Sequence, residues 1–188
     1  FVGDLGFNSI IKNSSVESNT VNGSGFDTGG FVGRMAGNSS ITQSFAIVDE
    51  VNGHFYVGGF VGSMAANTPS ITNSYKHANV LGYHYVGGFV GAVIVPNSIA
   101  YTYSNGSVTG AGYVGGFVGL MADNTVNKSH WNNETANMTG CWLTCGNNEI
   151  TGHSTAEMKL RATYVGWDFT NIWKIINGQT YPFLRWEA

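Results

Sequence analysis

The string Gly-Gly-Phe-Val-Gly stands at residues 29–33, 58–62, 87–91 and 115–119, and Phe-Val-Gly at 1–3 is a truncated first copy. Successive phenylalanines, Phe1, Phe31, Phe60, Phe89 and Phe117, lie 30, 29, 29 and 28 residues apart. Two further blocks keep step. One is Ile/Val-x-x-Ser/Thr at 11–14, 41–44, 71–74, 99–102 and 126–129, followed in three copies by an aromatic: Phe45, Tyr75 and Tyr103. The other is apolar-x-Gly at 21–23, 51–53, 80–82, 108–110 and 138–140. Each block is short, β-branched or aromatic, and bounded by Gly, Asn, Ser or Pro, which describes brief strands between tight turns. A unit of this size cannot bury its own apolar side chains, so the units must stack.

Winding each unit into one rung gives a parallel β-solenoid in which like residues sit about 4.8 Å apart along the axis. The crossover rule makes it right-handed. The expected fold is therefore all-β: a right-handed parallel β-helix of about five coils of 28–30 residues over 1–140, then a small α+β C-terminal cap over 141–188. In that cap Ser154 to Glu157 reads as a capping box opening a helix to about Ala162. Asn177-Gly178 reads as the turn of a hairpin. Trp142, Trp167, Trp173 and Trp186 would cover the last coil, or alternatively offer a platform for sugar rings.

Strand parity places the Phe column inside, together with Met35, Met64 and Met121, and turns Val32, Val61, Val90 and Val118 outward or into a flank. A buried hydroxyl without a partner costs about 1–3 kcal/mol. Ser14, Ser44, Ser74, Thr102 and Ser129 are accordingly expected to form a second core ladder, bonded from coil to coil. The glycines beside Phe and Val are expected where a positive φ or a close coil contact leaves no room for a Cβ.

Composition removes several classes of function. With 43% hydrophobic and 13% aromatic residues the chain is not disordered. A net charge of -3 and eight Lys and Arg leave no basic surface for nucleic acid. The sequence contains no apolar run long enough for a membrane span. The acids of the repeats, Asp4, Glu17, Asp27, Asp49, Glu50, Asp123 and Glu134, never recur at one coil position, so no line of paired carboxylates is formed and no enzyme activity is expected. His54 and His84 fall close together beside Tyr56 and Tyr85, but two ligands do not make a metal site, and no metal or cofactor is expected. Cys141 and Cys145 would close a small disulfide loop outside the cytosol, or pack as two thiols under the cap. Seven asparagines, Asn13, Asn22, Asn38, Asn105, Asn127, Asn133 and Asn137, sit in glycosylation sequons, where asparagine also serves simply as a turn residue.

Gly-Gly-Phe-Val-Gly with Ile-x-x-Ser-aromatic and Val-x-Gly between its copies resembles the GLUG-motif repeats of secreted and cell-surface proteins, including adhesin-like and filamentous-haemagglutinin-like chains. The resemblance covers about 1–140. Ser129-His130-Trp131 and the segment 154–186 are similar to the usual ending of such arrays. It implies a β-solenoid at the cell surface with stalk, passenger or adhesive roles and no shared catalytic residues. The expected function is a non-catalytic extracellular structural or adhesive module, the C-terminal part of a longer cell-surface protein, with host or matrix glycans or proteins as partners. The alternatives are a filament or sheath subunit self-associating through its solenoid ends, and a polysaccharide-binding or ice-binding solenoid.

Overall fold

The computed structural model describes residues 2–121, 125–142, 145 and 149–187. It is a parallel β-solenoid whose coils each contain four strands. The first sheet stacks Val2–Leu5, Val32–Met35, Val61–Met64, Val90–Val93 and Val118–Met121. The second stacks Ile10–Lys12, Ser40–Thr42, Ser70–Thr72, Ser98–Ala100 and Thr125–Asn127. The third and longest begins with Ser15–Asn22, Phe45–Asn52 and Tyr75–Leu81, continues through Tyr103–Asn105 and Ser129–Asn132, and ends with Ile150–His153. The fourth has only Asp27–Gly29, Tyr56–Gly58, Tyr85–Gly87 and Tyr113–Gly115. About four turns are thus complete, against the five expected. The fifth breaks off because Asn132 caps a single helical turn, Asn133–Ala136, by accepting from the backbone N–H groups of Glu134 and Thr135.

The repeat blocks occupy fixed stations. Phe31, Phe60, Phe89 and Phe117 are buried and stack in parallel, with ring centres 4.8, 5.0 and 5.1 Å apart. Phe1 lies outside the described residues. Ser44 and Ser74 donate to the carbonyls of Thr42 and Thr72, while Ser14 and Ser44 N–H groups donate to the hydroxyls of Ser44 and Ser74 one coil on. Thr102 and Ser129 share a hydroxyl bond of 3.0 Å, and Ser14 and Ser129 also donate to the carbonyls of Lys12 and Asn127. Each hydroxyl comes one residue after a left-handed corner, a column formed by Asn13, Gln43, Asn73, Tyr101 and Lys128 at φ between 44° and 55°.

One expectation about facing is overturned. Val32, Val61, Val90 and Val118 are buried rather than outward. Phe and Val straddle a corner: the N–H groups of both Phe31 and Val32 donate to the single carbonyl of Phe60, so alternation does not run through the pair. The glycines at this corner are required by close approach and not by φ. A Cβ on Gly59 would lie 2.4 Å from the Gly88 carbonyl oxygen, and one on Gly88 2.0 Å from that of Gly116.

The C-terminal segment departs from its expected place. Ser154 and Glu157 form the reciprocal capping box, but the chain then makes two 3-10 turns, Glu157–Lys159 and Arg161–Thr163, broken at an extended Leu160. The hairpin forms between Trp173–Lys174 and Phe183–Leu184. Both lie along the outer flank of the third sheet and not over the last coil. At the end of the core Trp131 packs together with Ala136, Met138, Cys141 and Ile150, and a Cβ on Gly116, Gly140 or Gly152 would come within 2.6–2.8 Å of its indole. Parallel pairing also runs past residue 140, since Ile150–His153 extends the third sheet and Val118 bridges to Cys141. Among the described residues no helix is long and apolar enough to cross a membrane.

Candidate functional surface

Besides the buried Phe stack, two aromatic columns run along the outside of this rod, and they meet different fates. The first is on the outer face of the third sheet, where Phe45, Tyr75 and Tyr103 stack at 5.1 and 5.0 Å. The tail lies over them, burying Met158, Tyr164, Trp167, Trp173 and Leu184 against the column. Three indole N–H groups fix it to the left-handed corners. Trp167 donates to the Lys128 carbonyl, Trp173 to the Asn73 side chain and Trp186 to the Gln43 carbonyl. Beneath the tail, Tyr103 Oη donates to the Pro182 carbonyl and lies 2.9 Å from His77 Nε2. The imidazole therefore carries its proton on Nε2 and accepts from Asn105 at Nδ1. Asn105 Oδ1 in turn accepts from Asn132 and Tyr181. Burial holds His77 down to about 4 and keeps it neutral, and it raises the Tyr75 and Tyr103 hydroxyls well above the phenol range.

The second column is at the edge where the third sheet turns into the fourth. Tyr56, Tyr85 and Tyr113 stack at 5.2 and 4.8 Å, and Trp142 meets Tyr113 edge-on at 5.5 Å. Beside it run Phe26 with Phe55, and His54 with Tyr83. Here the tail does not reach: Phe26 is 70% exposed, Tyr83 54% and Trp142 45%. The signal for this edge is in the sequence, an aromatic before Val-Gly-Gly in three consecutive units.

The tryptophans suggested for sugar stacking therefore divide. Trp173 is fully buried, Trp167 nearly so, and Trp186 is held on the flank, whereas Trp142 lies on the open edge. Cys141 and Cys145 are joined as a disulfide, with Cα atoms 5.5 Å apart. Asn13, Asn22, Asn38, Asn127, Asn133 and Asn137 are exposed. Asn105 is half-buried, with both ends of its amide engaged, which removes it as a glycan acceptor. His54 and His84 lie 6.3 Å apart between ring centres. His130 and His153 share a bond of 3.2 Å, and burial holds His130 down to about 3.

Sequence reasoning missed Lys76. It is an inward position of the third sheet, between Ala46 and Ser104, and it is wholly buried. Its stem lies against Gly59, whose missing side chain makes the room, and Nζ donates to the Ala78 carbonyl at 2.9 Å. Burial pushes the amine down to about 7. No periodic signal marks it, because the other coils place Val16, Ala46, Ser104 and Trp131 at this station.

No protein-family model, no curated protein and no solved structure matches this chain.

Proposed function

We propose that the chain is a non-catalytic, extracellular structural and adhesive module. The observation that carries this reading is the unequal treatment of two aromatic columns on one rigid rod. One is sealed by the chain's own tail, and the other, with the rings beside it, presents Phe26, Tyr83, Tyr113 and Trp142 to solvent along several successive coils. Exposed aromatic surface in a row, on a rung-by-rung hydrogen-bonded support, fits contact with an extended partner. The acids at unrelated coil positions and the exposed sequon asparagines accord with a surface role without catalysis. The test is retention of the purified chain on surfaces coated with matrix glycans or matrix proteins. Tyr113→Ala with Trp142→Ala should reduce retention severalfold while the circular dichroism spectrum is unchanged. Retention on no surface at all would overturn the reading.

End-to-end assembly is the second reading, since parallel pairing that repeats from coil to coil through all four sheets is a pairing that one copy can continue on another. Electron microscopy separates the two: regular filaments favour assembly of copies, and dispersed short rods favour the adhesive module.

A further inference from the structure

The ring ladder beside the open column is two rings long and stops at a small residue on either side, Gly25 before it and Ala111 after it. His54 and Tyr83 occupy the same station in successive coils and stack nearly parallel, 5.5 Å apart and 6° from coplanar. In the coil before them that station belongs to Gly25, two residues ahead of Asp27 just as His54 is two ahead of Tyr56. A Cβ at Gly25 would meet nothing within 4 Å. The outcome is a hollow of about 280 Å³ lined by Ser24, Gly25, Phe26, His54 and Phe55. It is near the lower limit of the roughly 300–1,000 Å³ of small-molecule pockets, a size for one ring and not for a large ligand. One face of the His54 imidazole is occupied by Tyr83, and the other is on the side of the hollow. Phe26 and Phe55, edge to face at 5.5 Å, form the wall.

The lining selects the chemistry of the occupant. It contains no Lys, Arg, Asp or Glu, so a charged ligand would be desolvated without a counter-charge. It does offer the Ser24 hydroxyl and the imidazole nitrogens beside the ring faces. A ring with one apolar face and a polar rim satisfies both features, whereas a phenyl ring leaves these polar groups unused. We propose, on the adhesive reading above, that this hollow binds a pyranose ring of a neutral glycan, its apolar face laid on the His54 imidazole and its hydroxyls toward Ser24 and solvent.

Gly25→Tyr is the discriminating variant. Gly25 is not among the positive-φ glycines, and the added ring would enter open space, extending the ladder as Tyr83 does. Protein resonances of His54 and Phe55 are followed by NMR during titration with neutral oligosaccharides, with acetyl-tyrosine amide as the competing flat ring. The expected result is saturable shifts with at least one oligosaccharide, weakened about tenfold or more, some 1.4 kcal/mol, in both Gly25→Tyr and His54→Ala. Shifts that survive in both variants, shifts with no oligosaccharide, or a preference for the tyrosine amide over every saccharide would each overturn the proposal. Retention of Gly25→Tyr on a glycan-coated surface at the wild-type level would remove the slot alone and leave the adhesive reading standing.

Discussion

The two aromatic columns are built by the same device and end in opposite states. Phe45, Tyr75 and Tyr103 project from the broad third sheet, which gives the tail of short turns and a hairpin enough surface to lie on, and its tryptophans reach the corner oxygens beside them. Tyr56, Tyr85 and Tyr113 begin strands of three residues at a sharp turn, where the neighbouring glycines leave backbone packed on backbone. Stacking along the axis is thus common to both, and stability differs by what lies across it. The covered column contributes to a second hydrophobic cluster, and the open column keeps its surface available for a partner.

The comparison can be broken most completely at the corner that supports both columns. Gly88→Val would drive a Cβ onto the Gly116 carbonyl, and circular dichroism should show loss of the folded state, with neither column surviving. Lys76→Met is the next largest effect and acts beneath the covered flank. The wild-type amine is held near 7, below the usual value of about 10.4 for lysine, so between those values the unfolded chain binds a proton that the native chain does not. Unfolding free energy should therefore rise with pH across that window, by on the order of 5 kcal/mol in all, and denaturant titrations of Lys76→Met should lose this rise and start from a more stable protein. The buried His77 and His130 have the same sign in acid. Stability should fall as pH drops from about 6.5 toward the values near 4 and 3 at which they charge in the fold. The smallest contrast is between the columns themselves. Trp173→Ala should cost about 3–5 kcal/mol, as removal of a fully buried indole does, and Tyr85→Ala about 1–2 kcal/mol, as loss of one half-exposed stack does. Equal costs by urea denaturation would show that the tail adds nothing to the column it covers.

Much of the first column is legible in the sequence. The aromatic after Ile-x-x-Ser recurs in three units, and the serine before it requires a bonded ladder to be buried at all. The open edge is equally periodic, but periodicity says which residues align and not which alignment is left uncovered. Parity counting misjudges the Val column because it assumes one continuous strand, and Phe31-Val32 turns a corner. Trp131 packs at the end of the core with Cys141 and Ile150, whereas Trp167 and Trp173 belong to the flank, so tryptophan content alone does not say which surface a tail covers.

The axis is determined by the sequence alone: the period, the three blocks of each coil and the residues that sit above one another, since backbone hydrogen bonds between rungs force equal segments into register, whereas the split of each coil into four strands came from the structure. What only the tertiary structure decided lies across that axis. The tail that seals one flank, the gap that admits Lys76 and the hollow beside Gly25 follow no period. Packing between non-repeating segments depends on shape and leaves no period in the sequence to read.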